Sequence, residues 1–170
     1  RPDIDGSRIG CTGTSGGGTQ TSYLMAIDPR ITCAAPCCYL TSFGRLIDTI
    51  GPQDAEQNLH GQIARGLDHA DYAILFAPRP LLFGTATRDF FDIEGSWDCF
   101  RQAKRVYTRL GFAERVDIVE ADLPHNFATA LRVPMVRWMR RWLCNAYEPV
   151  SEPDAAVRSD SELHCTPKGQ

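Results

Sequence analysis

Short apolar runs alternate with longer amphipathic segments along the chain, which is typical of parallel βα units. The run from Ile31 to Leu40 is almost entirely apolar or small, as expected for a strand that is buried on both faces. The pattern therefore predicts an α/β fold of three layers, with helices flanking four parallel strands. These strands are predicted at Arg8–Cys11, Ile31–Leu40, Pro80–Gly84 and Arg115–Ala121.

Three longer helices are predicted between and after these strands. The first runs from about Gly16 to Ala26. Ser96 is predicted to cap the second, because apolar residues follow it at three- and four-residue intervals until Gly111. The last runs from about Ala130 to Ala146, where Pro134 is compatible only with the first turn. Between the second and third strands the chain is polar and irregular, with one short helix predicted near Phe43–Ile50.

The texture of the chain changes near its end. Residues 1–147 are predicted to form one domain, and residues 148–170 a linker with the possible start of a further domain. Glu148–Asp160 supports this division, because it is rich in proline, serine, alanine and acidic residues. The chain opens on Arg1 rather than on methionine, so we expect it to be a piece of a longer polypeptide.

The composition excludes several classes of function. Hydrophobic residues make up 43% of the 170 residues, charged residues 23%, and the net charge is −3, as in an ordinary globular domain. The sequence lacks a basic patch of the kind that binds nucleic acid, and none of its apolar runs is long enough to span a membrane. The seven cysteines include Cys33, Cys37 and Cys38, but they lack the paired spacing of a zinc site. We therefore expect those three to pack as small apolar residues, with no metal bound.

One segment carries a motif of serine hydrolases. Gly13-Thr14-Ser15-Gly16-Gly17 matches G-x-S-x-G directly after a predicted strand and before a predicted helix. Such a turn exposes a nucleophilic Ser15, and the backbone N–H of Gly16 can donate to an oxyanion. A phosphate-binding loop is disfavoured because no Gly-Lys-Ser/Thr sequence follows. A flexible glycine-rich loop is the alternative.

Two further residues follow later strands in the order that a serine triad requires. Asp89 comes after the third strand and His125 after the fourth. Since the carboxyl ends of parallel strands meet at one edge of the sheet, we expect both residues near Ser15. His125 would accept the proton of Ser15, and Asp89 would orient the imidazole. Asp92 remains a rival for the acid, and Asp54 and Glu56 are weaker candidates for it. The other histidines, His60, His69 and His164, are weaker candidates for the base.

With these residues identified, the chain resembles the α/β-hydrolase superfamily, and within it the acetyl xylan esterase and cephalosporin-C deacetylase-like group. The resemblance covers about residues 5–145. It implies a carboxylic ester hydrolase that deacetylates a carbohydrate or small ester through an acyl-enzyme, without a metal or organic cofactor. The segments that carry it are Gly13–Thr21, Ala77–Leu82, Asp89–Asp92 and Pro124-His125.

The chain departs from this superfamily at its front. Members usually have an eight-stranded sheet with the nucleophile after the fifth strand, which implies that four N-terminal strands are missing here. The loop that supplies the second oxyanion donor is missing with them. We therefore expect the chain by itself to hydrolyse esters weakly or not at all.

The sequence leaves the substrate, the oligomeric state and the compartment open, with export possible if a signal peptide precedes the chain. A prolyl-oligopeptidase-type serine peptidase and a non-catalytic binding domain of the same fold are the alternative functions. The insertion from Gly51 to Asp71 is expected to lie over the site, because loops after strand ends face the ligand in this architecture. It could bind sugar hydroxyls or remain a solvated loop, and its candidate residues are Asp54, Glu56, Gln57 and Asn58.

Overall fold

The computed structural model describes residues 2–166 and confirms the predicted fold class. Four parallel strands form one sheet in the order β1-β2-β3-β4. Within this part of the chain, β1 and β4 are the edges of the sheet. The strands are β1 (Ile9–Thr14), β2 (Ile31–Cys37), β3 (Leu81–Arg88) and β4 (Val116–Pro124).

Helices cover both faces of the sheet. α1, α3 and α4 pack on one face around Met25 and Phe76, and α5 packs on the other through Met135 and Trp138. Among the described residues, no helix is both long and apolar enough to cross a membrane. The helices are α1 (Gly16–Ile27), α2 (Phe43–Thr49), α3 (His69–Phe76), α4 (Ile93–Arg109), α5 (Thr129–Cys144) and α6 (Asp160–Leu163).

The interior strand β2 explains how the two hydrophobic layers are divided. Ala34 joins the core beneath α1, α3 and α4, while its neighbours Cys33 and Ala35 join the core beneath α5. Successive side chains of a strand point to opposite faces, so a strand covered on both sides must be apolar throughout. The small residues expected at this strand are therefore buried, including Cys33 and Cys37.

The sequence patterns missed α3, which begins at the end of the polar insertion. Asp68 and Asp71 form a capping box at its start, in which each carboxylate accepts the backbone N–H of the other residue. His69 in its first turn is fully buried between Tyr39 and Phe43. Burial lowers the pKa of His69 to about 4, so the ring is neutral at pH 7. It is therefore an interior residue of the fold rather than a catalytic base.

Two predicted helix details were wrong. α4 begins at Ile93 with Asp92 as its cap, and Ser96 lies inside the helix, because the Asp92 carboxylate accepts the N–H of Gly95. α5 begins at Thr129, which places Pro134 in its second turn rather than its first. Proline there removes one backbone hydrogen bond, and the burial of Met135 and Trp138 just after it offsets that loss.

The end of the described chain is exposed, and it is irregular apart from α6. Its first part lies against α5 through ion pairs of Arg132 with Glu152 and Arg140 with Glu148. The division into a domain and a linker remains a prediction. The further domain predicted from residue 161 is described only as far as Thr166, and residues 167–170 lie outside the described residues.

A glycine in α1 sets how closely that helix approaches β2. A Cβ atom at Gly18 would lie 2.5 Å from the Cys37 carbonyl oxygen and 2.9 Å from the Tyr39 Cβ. We expect Gly18→Ala to lower the free energy of unfolding by about 1–3 kcal/mol, since backbone must move to admit the methyl group. Gly17→Ala is the matched control, because a Cβ there meets nothing within 4 Å. Urea unfolding that gives equal stabilities for the two variants would contradict this close packing.

Candidate active site

Ser15 occupies a strained turn between β1 and α1. Its φ is 56° and its ψ is −121°, a conformation that costs a non-glycine residue about 1–3 kcal/mol. Ser15 also stands at the N-cap of α1, where a serine hydroxyl ordinarily accepts a backbone N–H. Here the side chain makes no capping hydrogen bond. The hydroxyl is therefore left free for another partner.

The glycines around Ser15 make this turn possible. A Cβ at Gly13 would lie 2.5 Å from the carbonyl oxygen of Gly17, so no larger residue fits where the chain doubles back. The Ser15 N–H donates to the Cys37 carbonyl at 3.0 Å, which fixes the turn at the carboxyl end of β2. Gly16 is the first residue of α1, and the first N–H groups of a helix have no partner within the helix. The Gly16 N–H therefore has no partner within α1, and its role as an oxyanion donor stays a prediction.

Asp89 and His125 are joined by a hydrogen bond. His125 Nδ1 lies 2.8 and 3.0 Å from the two carboxylate oxygens of Asp89. The Asp89 side chain is only 1% exposed and also accepts the N–H of Phe91, whereas the imidazole is 27% exposed. The two residues directly follow β3 and β4, as predicted. A carboxylate at Nδ1 favours the tautomer that carries its proton there, and this is the tautomer whose Nε2 can accept a proton.

The rival acid Asp92 has a different role. Its carboxylate forms a two-pronged ion pair with Arg45, at 2.8 and 3.1 Å, in addition to capping α4. Arg45 is the main reason that the pKa of Asp92 lies below its usual range. Since both oxygens are engaged in this way, the geometry favours Asp89 as the partner of His125.

The other candidate residues are not placed beside His125. His60 and His164 are exposed, and Glu56 is exposed at the surface of the insertion. Asn58 donates its amide to the carbonyls of Gln53 and Asp54, so it braces the insertion itself.

A small cleft of about 60 Å³ opens at Ser15. Its other walls come from the turn after β3 and from the insertion, which places the insertion beside Ser15 as expected. A larger groove of about 320 Å³ between β4 and α5 contains none of the candidate residues. The cleft is lined by Ser15, Ile50, Pro52, Gln53, Asp54, Gln57, Phe90 and Phe91.

The cleft connects Ser15 to His125 indirectly. Phe90 stacks on the imidazole with ring centres 4.3 Å apart, and Phe91 lies 6.0 Å from it. Both phenyl rings also line the cleft with Ser15. Within residues 2–166 the Ser15 hydroxyl makes no hydrogen bond to His125. Such bonds commonly tighten only when substrate binds.

For three residues near the site, the sequence predicted no role in it. Phe90 was noted only as part of a motif, yet its ring holds one face of His125. Gln53 lines the cleft, and its side-chain oxygen and that of Gln57 are buried without a hydrogen-bond partner. Cys38 was expected only to fill space, but its thiol lies close to Asp89 and His125. Burial raises the pKa of Cys38 to about 11, and the Asp89 carboxylate adds to the rise.

Comparison with solved structures identifies the architecture. A carbohydrate esterase family 15 glucuronoyl esterase from Caldicellulosiruptor kristjansonii superposes with a TM-score of 0.71 at 20% identity, over 93% of this chain and 49% of that one. Methylesterase BT1017 gives a TM-score of 0.67 at 28% identity, over 83% of this chain and 31% of that one. The chain has an α/β-hydrolase fold. It contains the four-stranded part of that fold described above.

Other comparisons agree with this α/β-hydrolase fold. The chain is 28% identical over 152 residues to a Bacillus subtilis (strain 168) protein named "Putative hydrolase YtaP". The aligned residues make up 84% of this chain and 48% of that protein. A glucuronoyl esterase from Sporotrichum thermophile, solved with methyl 4-O-methyl-β-D-glucopyranuronate, gives a TM-score of 0.67 at 19% identity over 91% of this chain and 49% of that one. No protein-family model matches the chain. The chain thus spans about half the length of these relatives, or less.

Proposed function

We propose that the protein is a serine carboxylic ester hydrolase whose nucleophile, general base and orienting acid are Ser15, His125 and Asp89. The observation that carries this proposal is the Asp89–His125 hydrogen bond beside a strained serine with a free hydroxyl. All three residues follow carboxyl ends of strands in one parallel sheet, β1, β3 and β4, where ligands bind in open α/β sheets. Strain at a single serine is also characteristic of functional turns.

The reaction proceeds through an acyl-enzyme. His125 Nε2 accepts the hydroxyl proton as Ser15 Oγ attacks the ester carbonyl, and the Gly16 N–H donates to the developing oxyanion. The carbon–oxygen bond to the alcohol then breaks, and the alcohol leaves with the proton from His125. Water attacks the acyl-enzyme in the same way and releases the acid, restoring Ser15. No cofactor takes part in these steps.

The substrate is proposed to be an ester of a carbohydrate. The cleft is lined by Gln53, Gln57 and Asp54, whose side-chain types can hydrogen-bond to hydroxyl groups. None of its lining residues is basic, so no side chain there offers a positive charge to an acidic sugar. The solved neighbours named as glucuronoyl esterases and a methylesterase support the same substrate class.

Two kinds of carbohydrate ester fit this site, and one comparison separates them. In an acetylated sugar the carbohydrate is the alcohol, whereas in methyl glucuronate it is the acid. We expect the full-length protein to hydrolyse acetylated xylo-oligosaccharides with a higher kcat/KM than methyl glucuronate, because the small cleft at Ser15 suits an acetyl group. Acid release measured by titration with each substrate gives the ranking.

Each other result has a definite meaning. A preference for methyl glucuronate would assign the sugar to the acid side of the ester. Cleavage of proline-containing peptides with neither ester hydrolysed would instead support the peptidase alternative. If none of these substrates turns over and a fluorophosphonate probe leaves Ser15 unlabelled, the protein is not a serine hydrolase.

A further inference from the structure

Cys38 introduces a third potential metal ligand beside the Asp89–His125 pair. It directly follows β2, its side chain is buried, and its backbone has a positive φ of 49°. A ligand atom of each of these three residues lies within 4.8 Å of the other two. Within residues 2–166 this is the one group of three such side chains close enough to share a metal ion.

The chemistry of the three donors matches a particular class of cation. A thiolate sulfur, an imidazole nitrogen and a carboxylate oxygen are the ligands that Zn²⁺ takes in proteins. Two negative ligands, from Cys38 and Asp89, would neutralise a divalent ion, so the buried site would carry no net charge. The Asn126 carbonyl oxygen accepts a hydrogen bond from the Cys38 thiol at 3.4 Å, and a bound water would complete the four ligands. Tetrahedral binding, with metal–ligand bonds of about 2.0–2.3 Å, needs ligand atoms closer than 4.8 Å, so the thiol has to move towards Asp89 and His125 when the metal binds.

We propose that Cys38, Asp89 and His125 form an inhibitory site for Zn²⁺ and related thiophilic divalent cations. The metal replaces the proton on His125 Nδ1, and the Cys38 thiol releases its proton to water as the metal–sulfur bond forms. The imidazole proton moves to Nε2, so the ring stays neutral but its Nε2 can no longer accept the proton of Ser15. Binding therefore switches off the base of the proposed triad without occupying the cleft.

The other buried cysteines of β2 do not offer such a site. Cys33 packs with Trp138 in the layer beneath α5, and the Cys37 sulfur lies against Gly84, where a Cβ would be only 2.5 Å away. Only the third buried cysteine of this region, Cys38, faces a carboxylate and an imidazole.

Cobalt provides a test that does not depend on catalysis. Titration of the full-length, metal-free protein with Co²⁺ is expected to produce a near-ultraviolet thiolate-to-cobalt charge-transfer band that saturates at one equivalent. Cys38→Ser is expected to lose this band, while the matched control Cys144→Ser, at an exposed cysteine, keeps it. With Zn²⁺, nitrogen NMR spectra should show the His125 Nδ1 signal shifting and its proton appearing on Nε2.

Labelling of Ser15 by a fluorophosphonate tests the inhibition. For each variant, the extent of labelling with Zn²⁺ is divided by the extent without Zn²⁺. The ratio should fall with metal occupancy in the wild type and in Cys144→Ser, and stay near one in Cys38→Ser. A cobalt band that survives Cys38→Ser, no band at all, or full labelling of the metal-loaded protein would overturn the proposal. If the metal-free protein is not labelled, the proposed esterase function fails, and the band and the NMR shift still decide the metal site.

Discussion

Ser15→Ala in the full-length protein is expected to abolish hydrolysis of p-nitrophenyl acetate, with kcat reduced by about 10⁶-fold. The variant removes the only atom that forms the acyl bond, while Asp89, His125 and the Gly16 N–H stay in place. Folding should be little affected, because the Ser15 side chain makes no capping hydrogen bond that the variant would lose. The release of p-nitrophenol, recorded both in the initial burst and at steady state, measures the loss.

A second serine provides the control for this variant. Ser42 also stands at a helix N-cap, that of α2, and its side chain likewise makes no capping hydrogen bond. It does not line the cleft, so Ser42→Ala should keep kcat within about twofold of the wild type, as expected of a position remote from the reacting atoms. Turnover retained in Ser15→Ala, or lost equally in both variants, would exclude Ser15 as the nucleophile.

The sheet and the placement of the candidate residues could be predicted because both follow from local rules. Apolar runs bounded by turn residues predicted all four strands, although β1, β3 and β4 extend further than expected at their carboxyl ends. Parallel strands bring their carboxyl ends to one edge, so residues directly after β3 and β4 had to meet there. Sequence order alone was therefore enough to bring an acid of the segment Asp89–Asp92 to His125.

Choosing between Asp89 and Asp92 needed tertiary information. The two residues lie three positions apart, and either could have reached His125. Arg45, which engages Asp92, comes from α2 and is distant in sequence. The helix cap, by contrast, is a local matter: Asp92, four residues before Ser96, fulfils that function by accepting the N–H of Gly95.

Aromatic and sulfur contacts around His125 could not be predicted either. The stacking of Phe90 on the imidazole depends on the exact path of the turn after β3. Cys38 reaches Asp89 and His125 because the chain takes a positive φ directly after β2, which is uncommon for residues other than glycine. A run of apolar letters gave no sign of that bend.

Asp89→Asn is expected to lower kcat by about 10⁴-fold while leaving the fold intact. An asparagine side chain fills the same buried space and can present its amide NH₂ to His125 Nδ1. The imidazole would then carry its proton on Nε2, the nitrogen that must accept the proton of Ser15. The measured quantity is kcat for p-nitrophenyl acetate, with thermal unfolding as the check on folding.

Asp92→Asn is the matched control, three residues away. Asparagine is as good a helix cap as aspartate, so α4 keeps its cap and loses only the ion pair with Arg45. Because Arg45 is largely exposed, that loss should cost at most about 1 kcal/mol of stability and less than a tenfold change in kcat. The opposite pattern, with Asp92→Asn inactive and Asp89→Asn active, would show that Arg45 and Asp92 rearrange on substrate binding and that Asp92 is the acid. Equal, small losses would mean that neither carboxylate orients His125 during the reaction.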